Sequence, residues 1–279
     1  MKRLGYANKK RLDQILVDKN YSLTREKAKR LIMSGVVFID GKRIDKPGTK
    51  IREDLPIEIK EKASEKYVSR GGLKLEKALQ SFEIDVNNRV CLDIGASTGG
   101  FTHCLLINGA KHVYAVDVGY GQLAWQLRQD KRVSVFERTN IRYVEKDIFT
   151  AGPDLACVDV SFISLDLVIP KLKEFIVHPK TSIVLIKPQF ELSREKIGKK
   201  GVVKDPNFHK EAIKKVIYKA KDHEFELRGL TYSPIKGPKG NIEYFACFEE
   251  LCNTVTVEDM TLEVSKIVND VVCSANINL

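Results

Sequence analysis

The spacing of hydrophobic residues along the first sixty positions predicts two short helices followed by a small β-sheet. Apolar residues recur at helical spacing in RLDQILVDKN and again in TREKAKRLIMSG, where Gly35 ends the second pattern. The apolar run VVFI is followed by Asp40-Gly41, a dipeptide typical of tight β-hairpins, and by a return through Ile44. A later apolar run, LPIEI, closes a small sheet. This order of elements predicts a compact α+β unit over residues 1–60.

The following residues change in character and predict a domain boundary. Residues 61–70, EKASEKYVSR, are polar and lack a core periodicity, so we interpret them as a linker. From residue 89 onward, helical segments alternate with apolar strand candidates, which are RVCLDIG, HVYAVDV, VSVFE, DLACVDV and SIVLIKP. This alternation predicts a mostly parallel sheet in a three-layer α/β sandwich over residues 71–249. Residues 250–279 form a weakly apolar tail with a helix predicted around Leu262 to Val272 and no assigned chemistry.

Composition restricts the class of protein. The chain has 279 residues, of which 43% are hydrophobic and 30% are charged, as in soluble globular proteins rather than disordered ones. No stretch approaches the roughly 18 consecutive apolar residues of a membrane-spanning helix, and the basic start lacks the apolar region of a secretion signal. The six cysteines form no C-x-x-C pair and no zinc spacing. We therefore expect a cytoplasmic protein without membrane contact and without a bound metal.

The basic charge is concentrated in the first unit. Residues 1–60 hold 16 Lys or Arg against 8 Asp or Glu, and so carry +8 of the net charge of +10. A compact basic segment attached to a nearly neutral body is typical of proteins that bind nucleic acid. A solvated, lysine-rich surface gives the same count, and the charge alone supports both interpretations equally.

A glycine-rich loop follows the first strand of the second domain. Asp93 lies in that strand, and Gly95, Gly99 and Gly100 follow before a helix begins. Glycines allow a backbone to approach a ligand closely, although a tight strand-to-helix turn needs them as well. The spacing departs from the G-x-G-x-x-G of dinucleotide sites, and an acidic Asp93 would repel a phosphate. The loop therefore favours a cationic, amino-acid-like ligand over a pyrophosphate.

Two further polar residues follow the next strands. Asp117 ends the second strand, about 20 residues after the loop, where a carboxylate can accept both hydroxyls of a ribose. Asn140 comes just after the third strand candidate. Together these features resemble the S-adenosylmethionine site of class I methyltransferases, which have a Rossmann-like fold. The resemblance places methionine at the loop, ribose at Asp117 and adenine at Asn140. It implies as cofactor-binding residues Asp93, Gly95, Ala96, Ser97, Thr98, Gly99, Gly100, Phe101, Asp117 and Asn140.

Four short motifs also occur in order within residues 8–60. They are Arg11-Leu12-Asp13, Thr24-Arg25, Gly35-Val36-Val37 and Asp40-Gly41-Lys42. Their order, with the predicted elements, resembles the S4 RNA-binding domain. The resemblance implies a module that holds the RNA backbone through basic side chains and sets affinity and orientation rather than sequence choice. The implied RNA-binding residues are Arg11, Arg25, Lys27, Lys29, Arg30, Lys42 and Arg43.

Four charged residues lie where the second domain is expected to place catalytic groups. Lys74 is in the first helix, Asp159 ends CVDV, Lys187 ends IVLIK and Glu243 lies in the strand candidate NIEYFACF. A lysine at a strand end usually extends its amine to solvent, and Lys187 alone would be interpreted in that way. The set of four, however, resembles in order the Lys-Asp-Lys-Glu tetrad of RrmJ/FtsJ-type RNA ribose 2′-O-methyltransferases.

The combined motifs extend over most of the chain. An S4-like unit precedes the tetrad, and the segments SRGGLKL, DVSFISL and KPQFE accompany it. This combination resembles the TlyA family over residues 8–249. The resemblance implies S-adenosylmethionine-dependent 2′-O-methylation of ribose in ribosomal RNA, with cytidine as the target base and ribosomal subunits as the partner.

The chemistry of this reaction suggests roles for the four residues. A ribose hydroxyl is a poor nucleophile, so an enzyme must align it with the methyl group and remove its proton. A lysine removes a proton only when neutral, and a second cation nearby favours that form. We expect Lys187 to orient and deprotonate the hydroxyl, and Asp159 and Glu243 to position the lysines. Lys74 would tune or steer the reaction.

Two other functions stay open from the sequence. One is a non-catalytic RNA-binding protein that keeps a methyltransferase fold, which the intact loop and tetrad disfavour. The other is a membrane-active hemolysin, because members of the resembled family carry that label. No strongly amphipathic basic helix with an aromatic face supports this activity.

Overall fold

The computed structural model describes residues 9–22, 24–33, 35–59, 66–198, 200–237, 239–250 and 257–279, without the side chains at 30, 146 and 257–262. The chain divides into two compact units, Met1–Glu65 and Lys66–Leu279. Each unit has a hydrophobic core of its own. The first half of the predicted linker, residues 61–65, lies outside the described residues.

The first unit is a small α+β fold, as predicted. Its elements are β1 (Lys9–Arg11), α1 (Leu12–Asp18), α2 (Arg25–Met33), β2 (Val37–Ile39), β3 (Lys42–Arg43), β4 (Lys50–Arg52) and β5 (Ile57–Ile59). Strand β2 pairs with both β3 and β5 in antiparallel fashion, and β1 pairs with β4. The apolar faces of both helices join one core through Leu12, Ile15, Leu16, Ala28 and Ile32. The hydrophobic spacing therefore located both helices and the hairpin.

The second unit alternates strands and helices along most of its length. Its elements are α3 (Gly71–Ser81), β6 (Val90–Ile94), α4 (Gly100–Ile107), β7 (His112–Val116), α5 (Trp125–Arg128), β8 (Val133–Phe136), β9 (Leu155–Val158), α6 (Ile169–Phe175), β10 (Thr181–Ile186), α7 (Pro188–Glu191), α8 (Pro206–Asp222), β11 (Phe225–Tyr232), β12 (Tyr244–Glu250) and α9 (Val257–Asn278). Strands β9 and β10 are buried at every position, as expected for parallel strands that are covered on both faces.

Seven strands of this unit form one mixed sheet in the order β11-β12-β10-β9-β6-β7-β8. The five strands from β10 to β8 are parallel, and β12 and β11 extend one edge in antiparallel fashion. The sequence did not predict β11, because charges interrupt the apolar residues of FELRGLTY and the pairing register shifts between Leu227 and Gly229. The mostly parallel sheet confirms the predicted fold class.

Helices cover both faces of the sheet, which confirms the predicted three-layer sandwich. Side chains alternate along each central strand, so that Cys91 of β6 belongs to one hydrophobic cluster and Leu92 belongs to the other. Helices α3 and α4 pack in the cluster around Cys91. Helices α6, α8 and α9 pack in the cluster around Leu92.

The C-terminal helix is longer than the predicted segment around Leu262 to Val272. It spans Val257–Asn278. Four of its residues, spaced for one helix face, are buried in the cluster shared with α6 and α8: Val264, Val268, Val272 and Ala275. The tail to which the sequence assigned no role is therefore part of one outer layer of the sandwich.

The second half of the predicted linker belongs to the second unit. Tyr67 is only 4% exposed and packs with α3 and α4, with its ring edge-on to His103. The backbone N–H of Val68 donates to Nδ1 of the same histidine at 3.1 Å. The polar composition of residues 61–70 concealed this anchor because one aromatic side chain is enough to hold the segment in the core.

The strand order reverses between β6 and β9, which lie side by side at the centre of the sheet. In open α/β sheets a crevice forms at such a point, beyond the carboxyl ends of the strands. None of the helices in the described part of the chain is long and apolar enough to cross a membrane. Among the same residues, no three His, Cys, Asp or Glu side chains are grouped to hold a metal ion.

Candidate active site

A cleft of about 220 Å³ lies at the carboxyl ends of β6 and β9, where the strand order reverses. Its walls come from the loop after β6, the start of α3 and the end of β9. The lining residues are Ser69, Arg70, Gly71, Lys74, Gly95, Ala96, Ser97, Thr98, Gly100, Phe101 and Asp159. The cleft therefore combines six of the predicted cofactor-binding residues with two members of the predicted tetrad.

The glycines of the loop are required by close backbone contacts. Gly95 has φ of +87°, and a Cβ atom there would overlap the carbonyl oxygen of Asp159. Gly99 caps α4 with φ of +92°, and a Cβ atom on Gly100 would overlap the Ser69 hydroxyl. Because only glycine fits these positions, the backbone itself forms the wall of the cleft.

Asp93 lies beneath the loop rather than in the cleft wall. It is fully buried, and its Oδ2 accepts from the backbone N–H of Thr102 at 2.8 Å and from the Thr102 hydroxyl at 2.6 Å. Its Oδ1 is buried without a hydrogen-bond partner among the described residues. Burial raises the pKa of Asp93 to about 7, although the hydrogen bonds from Thr102 act in the opposite direction. The carboxyl group thus fixes the start of α4 behind the loop.

Asp117 directly follows β7 and Asn140 follows β8, the next strand along the sheet, as predicted. Asp117 accepts on Oδ2 from the backbone N–H of Ser97 at 2.7 Å and on Oδ1 from that of Gly119 at 2.6 Å. It therefore ties the glycine loop to the end of β7. Asn140 accepts from the backbone N–H of Arg142 at 3.1 Å and caps a short 3₁₀ turn. Neither residue lines the cleft described above, and their contacts with a cofactor stay predictions.

The four residues of the predicted tetrad form two ion pairs. Lys74 Nζ lies 2.6 Å from Glu243 Oε2, and this pair joins α3 to the start of β12. Lys187 Nζ lies 2.6 Å from Asp159 Oδ1, and this pair joins the ends of β10 and β9. Both lysines are less than 10% exposed. Because Lys74 and Asp159 both line the cleft, each ion pair has one member at the cleft surface.

The segment before β12, which carries Glu243, packs closely against a neighbouring turn and is hydrogen-bonded to a loop. A Cβ atom on Gly237 would overlap Glu243 Oε1, so this glycine allows the turn to pack directly on the carboxylate. Asn241 accepts from Val203 N–H at 3.0 Å and donates to the Gly201 carbonyl at 2.9 Å. The sequence did not indicate these hydrogen bonds between the segment before β12 and the loop after α7.

The buried His209 connects the same loop to β12. Its Nε2 lies 2.9 Å from the Val203 carbonyl, and its Nδ1 lies 2.7 Å from the Tyr244 hydroxyl. A carbonyl can only accept, so Nε2 carries the proton and Nδ1 accepts from Tyr244. Burial lowers the pKa of His209, which favours this neutral form.

Two further polar residues near the tetrad were not singled out from the sequence. Lys187 Nζ donates to the Ser161 hydroxyl at 2.8 Å. Glu191 is buried and accepts from the Ser164 hydroxyl at 2.6 Å and from Leu165 N–H at 2.9 Å. It thereby ties the segment after β9 to α7. Both residues lie in motifs that carried the family resemblance, but their roles depend on contacts that a linear motif does not display.

The predicted RNA-binding residues of the first unit have different surroundings. Arg11 and Arg25 both contact the buried Asp13. Lys29 pairs with Glu26 at 2.7 Å, and the Arg43 guanidinium packs against Gly35. The side chains of Lys27 and Lys42 are exposed, and neither has an ion pair or a hydrogen bond with another residue in the described ranges. The side chain of Arg30 lies outside the described residues.

Residues 67–250 match the FtsJ-like methyltransferase family, and residues 10–57 match the S4 domain. The "Putative rRNA methyltransferase YqxC" of Bacillus subtilis is 53% identical over 85% of this chain and 85% of its own. The "16S/23S rRNA (cytidine-2′-O)-methyltransferase TlyA" of Mycobacterium tuberculosis is 43% identical over 86% of this chain and 89% of its own. A solved structure, "Putative hemolysin from Streptococcus thermophilus", is 43% identical, covers 98% of both chains and has a TM-score of 0.74.

These matches confirm three predictions from the sequence. The chain is a methyltransferase, because the FtsJ-like match covers more than half of it. This match also confirms the predicted cofactor, S-adenosylmethionine, and the glycine backbone around the cleft fits such a ligand. The S4 match confirms the nature of the basic first unit. The chain therefore belongs to the TlyA family, in which an S4 domain precedes an FtsJ-like methyltransferase domain.

Proposed function

We propose that this protein methylates the 2′-hydroxyl of a cytidine ribose in ribosomal RNA, with S-adenosylmethionine as the methyl donor. The observation that carries the proposal is the composition of the cleft. Lys74 and Asp159 line it beside the glycine backbone, and Lys187 contacts Asp159. A nucleophile held at this place would have a basic amine on one side and the donor site on the other.

Ribosomal RNA as the substrate is supported by both parts of the chain. Two of the relatives are named as rRNA methyltransferases, and the name of the M. tuberculosis protein specifies cytidine 2′-O. The S4 domain is a basic module suited to the RNA backbone. Recognition of structured RNA by shape and phosphates fits a binding module that delivers a separate catalytic domain.

Residues around the cleft would hold the donor through backbone and carboxylate groups. Gly95, Ser97 and Gly100 present backbone that can approach a ligand closely. Asp117 lies at the neighbouring strand end, where two backbone amides anchor its carboxylate, and in this proposal it accepts hydrogen bonds from the ribose hydroxyls. When bound, S-adenosylmethionine supplies a methyl group that is already activated by its sulfonium.

The proton of the ribose hydroxyl passes to Lys187 in this proposal. The oxygen forms the new O–C bond as the bond between the methyl group and the donor's sulfur breaks, which leaves S-adenosylhomocysteine. Lys187 Nζ accepts the hydroxyl proton, for which the amine must first be neutral. Asp159 and Ser161, at 2.6 Å and 2.8 Å from Nζ, fix the amine at the cleft edge. Lys74 adds positive charge at the cleft, and Glu243 holds it there.

The test is transfer of labelled methyl groups from S-adenosylmethionine to separately purified, unmodified small and large ribosomal subunits. Label on a nucleotide that resists alkaline cleavage is expected, because a methylated 2′-oxygen cannot attack the adjacent phosphate. Label at an alkali-sensitive position would contradict the 2′-O assignment. No label on either subunit, with cofactor binding demonstrated, would favour the alternative of a non-catalytic RNA-binding protein.

The hemolysin names among the relatives define a second experiment. Leakage of dye from liposomes is measured with the purified protein in the absence of S-adenosylmethionine. A lytic protein must release dye without a methyl donor, whereas the proposed enzyme is expected to leave the liposomes intact. Release that depends on protein concentration would support membrane activity.

A further inference from the structure

Asp13 is a buried carboxylate in the S4 unit that the proposed reaction does not use. Its side chain is fully buried near the start of α1. The backbone N–H of Asp13 donates to the Pro47 carbonyl at 3.1 Å, and that of Leu12 donates to the Thr49 carbonyl at 2.9 Å. These bonds fix the start of α1 against a turn of the chain, so the position of the carboxylate is fixed as well.

Two arginines meet on this carboxylate. Arg11 donates through Nε to Oδ1 and through Nη2 to Oδ2, both at 3.0 Å, while Arg25 donates through Nε to Oδ2 at 3.1 Å. The arginine side chains are 43% and 53% exposed, whereas Asp13 is inaccessible. Because both arginines contact Oδ2, their donating nitrogens lie within about 6 Å of each other.

The arrangement leaves donors available to a second anion. Arg11 Nη1 and both terminal nitrogens of Arg25 have no hydrogen-bond partner in the described ranges of the chain. The cluster holds two positive charges and one negative charge, so it remains cationic. Planar guanidinium groups held in fixed positions suit the oxygens of a phosphate, to which arginine can donate two parallel hydrogen bonds.

We propose that Arg11 and Arg25 form a single binding site for a backbone phosphate of the RNA substrate, in which Asp13 is the positioning residue. The identity of the RNA rests on the proposed function. The physical benefit is preorganisation, because side chains that are already held by Asp13 lose less rotamer freedom when the phosphate binds. Asp13 itself stays out of contact with the RNA.

An alternative explanation is that the two arginines contribute to RNA binding only as unoriented positive charges. The two explanations predict opposite changes in RNA affinity for Asp13→Asn. If the arginines act on RNA as unoriented charges, removing a neighbouring negative charge strengthens RNA binding. If Asp13 orients them, the substitution releases both side chains and weakens RNA binding despite the more positive net charge.

The experiment measures the dissociation constant of the full chain for unmodified ribosomal subunits, without S-adenosylmethionine and at one fixed salt concentration. Asp13→Asn is expected to weaken binding about fivefold to tenfold, which is the loss of affinity expected when one charged hydrogen bond is removed. The matched control is Asp45→Asn, which makes the same charge change at an exposed residue of the same unit. It is expected to leave binding unchanged or slightly tighter. Binding by Asp13→Asn as tight as that of the unmodified protein overturns the proposal.

A double-mutant comparison separates positioning from a loss of folding. In the Arg11→Ala/Arg25→Ala background, Asp13→Asn is expected to have no further effect on affinity, because the side chains that it positions are absent. A further loss there would indicate a structural role and overturn the proposal. Thermal unfolding of each variant reports whether the S4 unit still folds.

Arg25→Lys keeps the test decisive if Asp13→Asn does not fold. Lysine retains the charge but, as a point donor, cannot contact Asp13 and a phosphate in the same fixed geometry. Weaker binding by Arg25→Lys supports the proposal, and unchanged binding overturns it. Because the readout is binding, an absence of methyl transfer in the unmodified protein would count against the proposed function alone.

Discussion

At the scale of the residue, the environment of Lys187 decides what its amine can do. The sequence shows only a lysine at the end of an apolar strand. In the fold its Nζ lies between Asp159 and Ser161 at the edge of the cleft. Because Lys187 is only 8% exposed and its amine is held by these two partners, it does not behave as a solvated surface lysine.

We therefore expect Lys187→Ala to lower the rate of methyl transfer about 10²- to 10⁴-fold, the usual contribution of a general base. The affinity for S-adenosylmethionine should change little, because the substitution leaves the glycine loop intact. Rates are measured with labelled donor, and affinity is measured by calorimetry. Lys173→Ala, which removes a lysine paired with Glu224 on the outer layer, is the control and should retain full activity. Equal rates for the two variants would refute the role of Lys187.

Asp93 leads to a prediction about stability and pH. Its pKa is about 7 in the folded protein because of burial, against about 3.9 in an unfolded chain. Between these values the folded state binds more protons than the unfolded state, so the free energy of unfolding falls as pH rises from about 4 to about 7. Asp93→Asn should reduce this decline, measured by urea unfolding at a series of pH values. Asp222→Asn, at an exposed position of α8, should leave it unchanged. An undiminished decline in Asp93→Asn would contradict the assignment.

At the scale of the element, the loop between β6 and α4 depends on how closely two strand ends approach. Gly95 lies against the carbonyl of Asp159, so the first glycine of the loop also sets the distance between the ends of β6 and β9. Asp117 ties the same loop to β7 through Ser97. Three neighbouring strands are thereby held around one cleft.

Substitution of Gly95 by alanine is expected to separate these strand ends. The loss of cofactor affinity should reach at least about tenfold, and the free energy of unfolding should fall by roughly 2–4 kcal/mol, because overlap with backbone adds to the cost of positive φ. Gly121→Ala is the matched control, since Gly121 also has positive φ, of +70°, but its added Cβ would meet no atom within 4 Å. It should cost only about 1–2 kcal/mol. Calorimetry and thermal unfolding measure both quantities, and equal effects of the two substitutions would rule out the close-contact explanation.

At the scale of the whole molecule, charge and chemistry lie in different units. The first sixty residues carry +8 of the net charge, whereas the tetrad and the glycine loop lie beyond residue 70. Such a division allows affinity for RNA to change without a change in the chemical step.

The division predicts a specific response to salt. Binding to ribosomal subunits should weaken steeply with increasing salt, as expected when lysines and arginines replace counterions on phosphates. Lys42→Ala combined with Arg43→Ala should raise KM for the subunits and reduce the slope of log affinity against log salt by about one to two. The turnover number at saturating RNA should not change. A lower turnover number with an unchanged KM would contradict the separation of binding from chemistry.

The sequence by itself determined the alternation of strands and helices, the basic first unit, and the order of the tetrad and glycine motifs. These features are local, because hydrophobic period, charge count and residue spacing are properties of neighbouring positions. It missed β11, whose apolar pattern is interrupted by charges, and the anchoring of Tyr67, because a single buried aromatic leaves no periodic signal.

Only the tertiary structure decided which groups act together. Lys74 and Glu243 are 169 positions apart, and their ion pair depends on the packing of α3 beside β12. Asp93 belongs to the motif that is predicted to bind the cofactor, yet its carboxyl group is buried, accepts hydrogen bonds from Thr102 and does not line the cleft. Asp13 appears in the sequence as one acidic residue of a basic unit, and the fold makes it the common partner of two arginines. Distances of a few ångströms and the exclusion of water arise only when the chain is folded, and they set the strength of every such interaction.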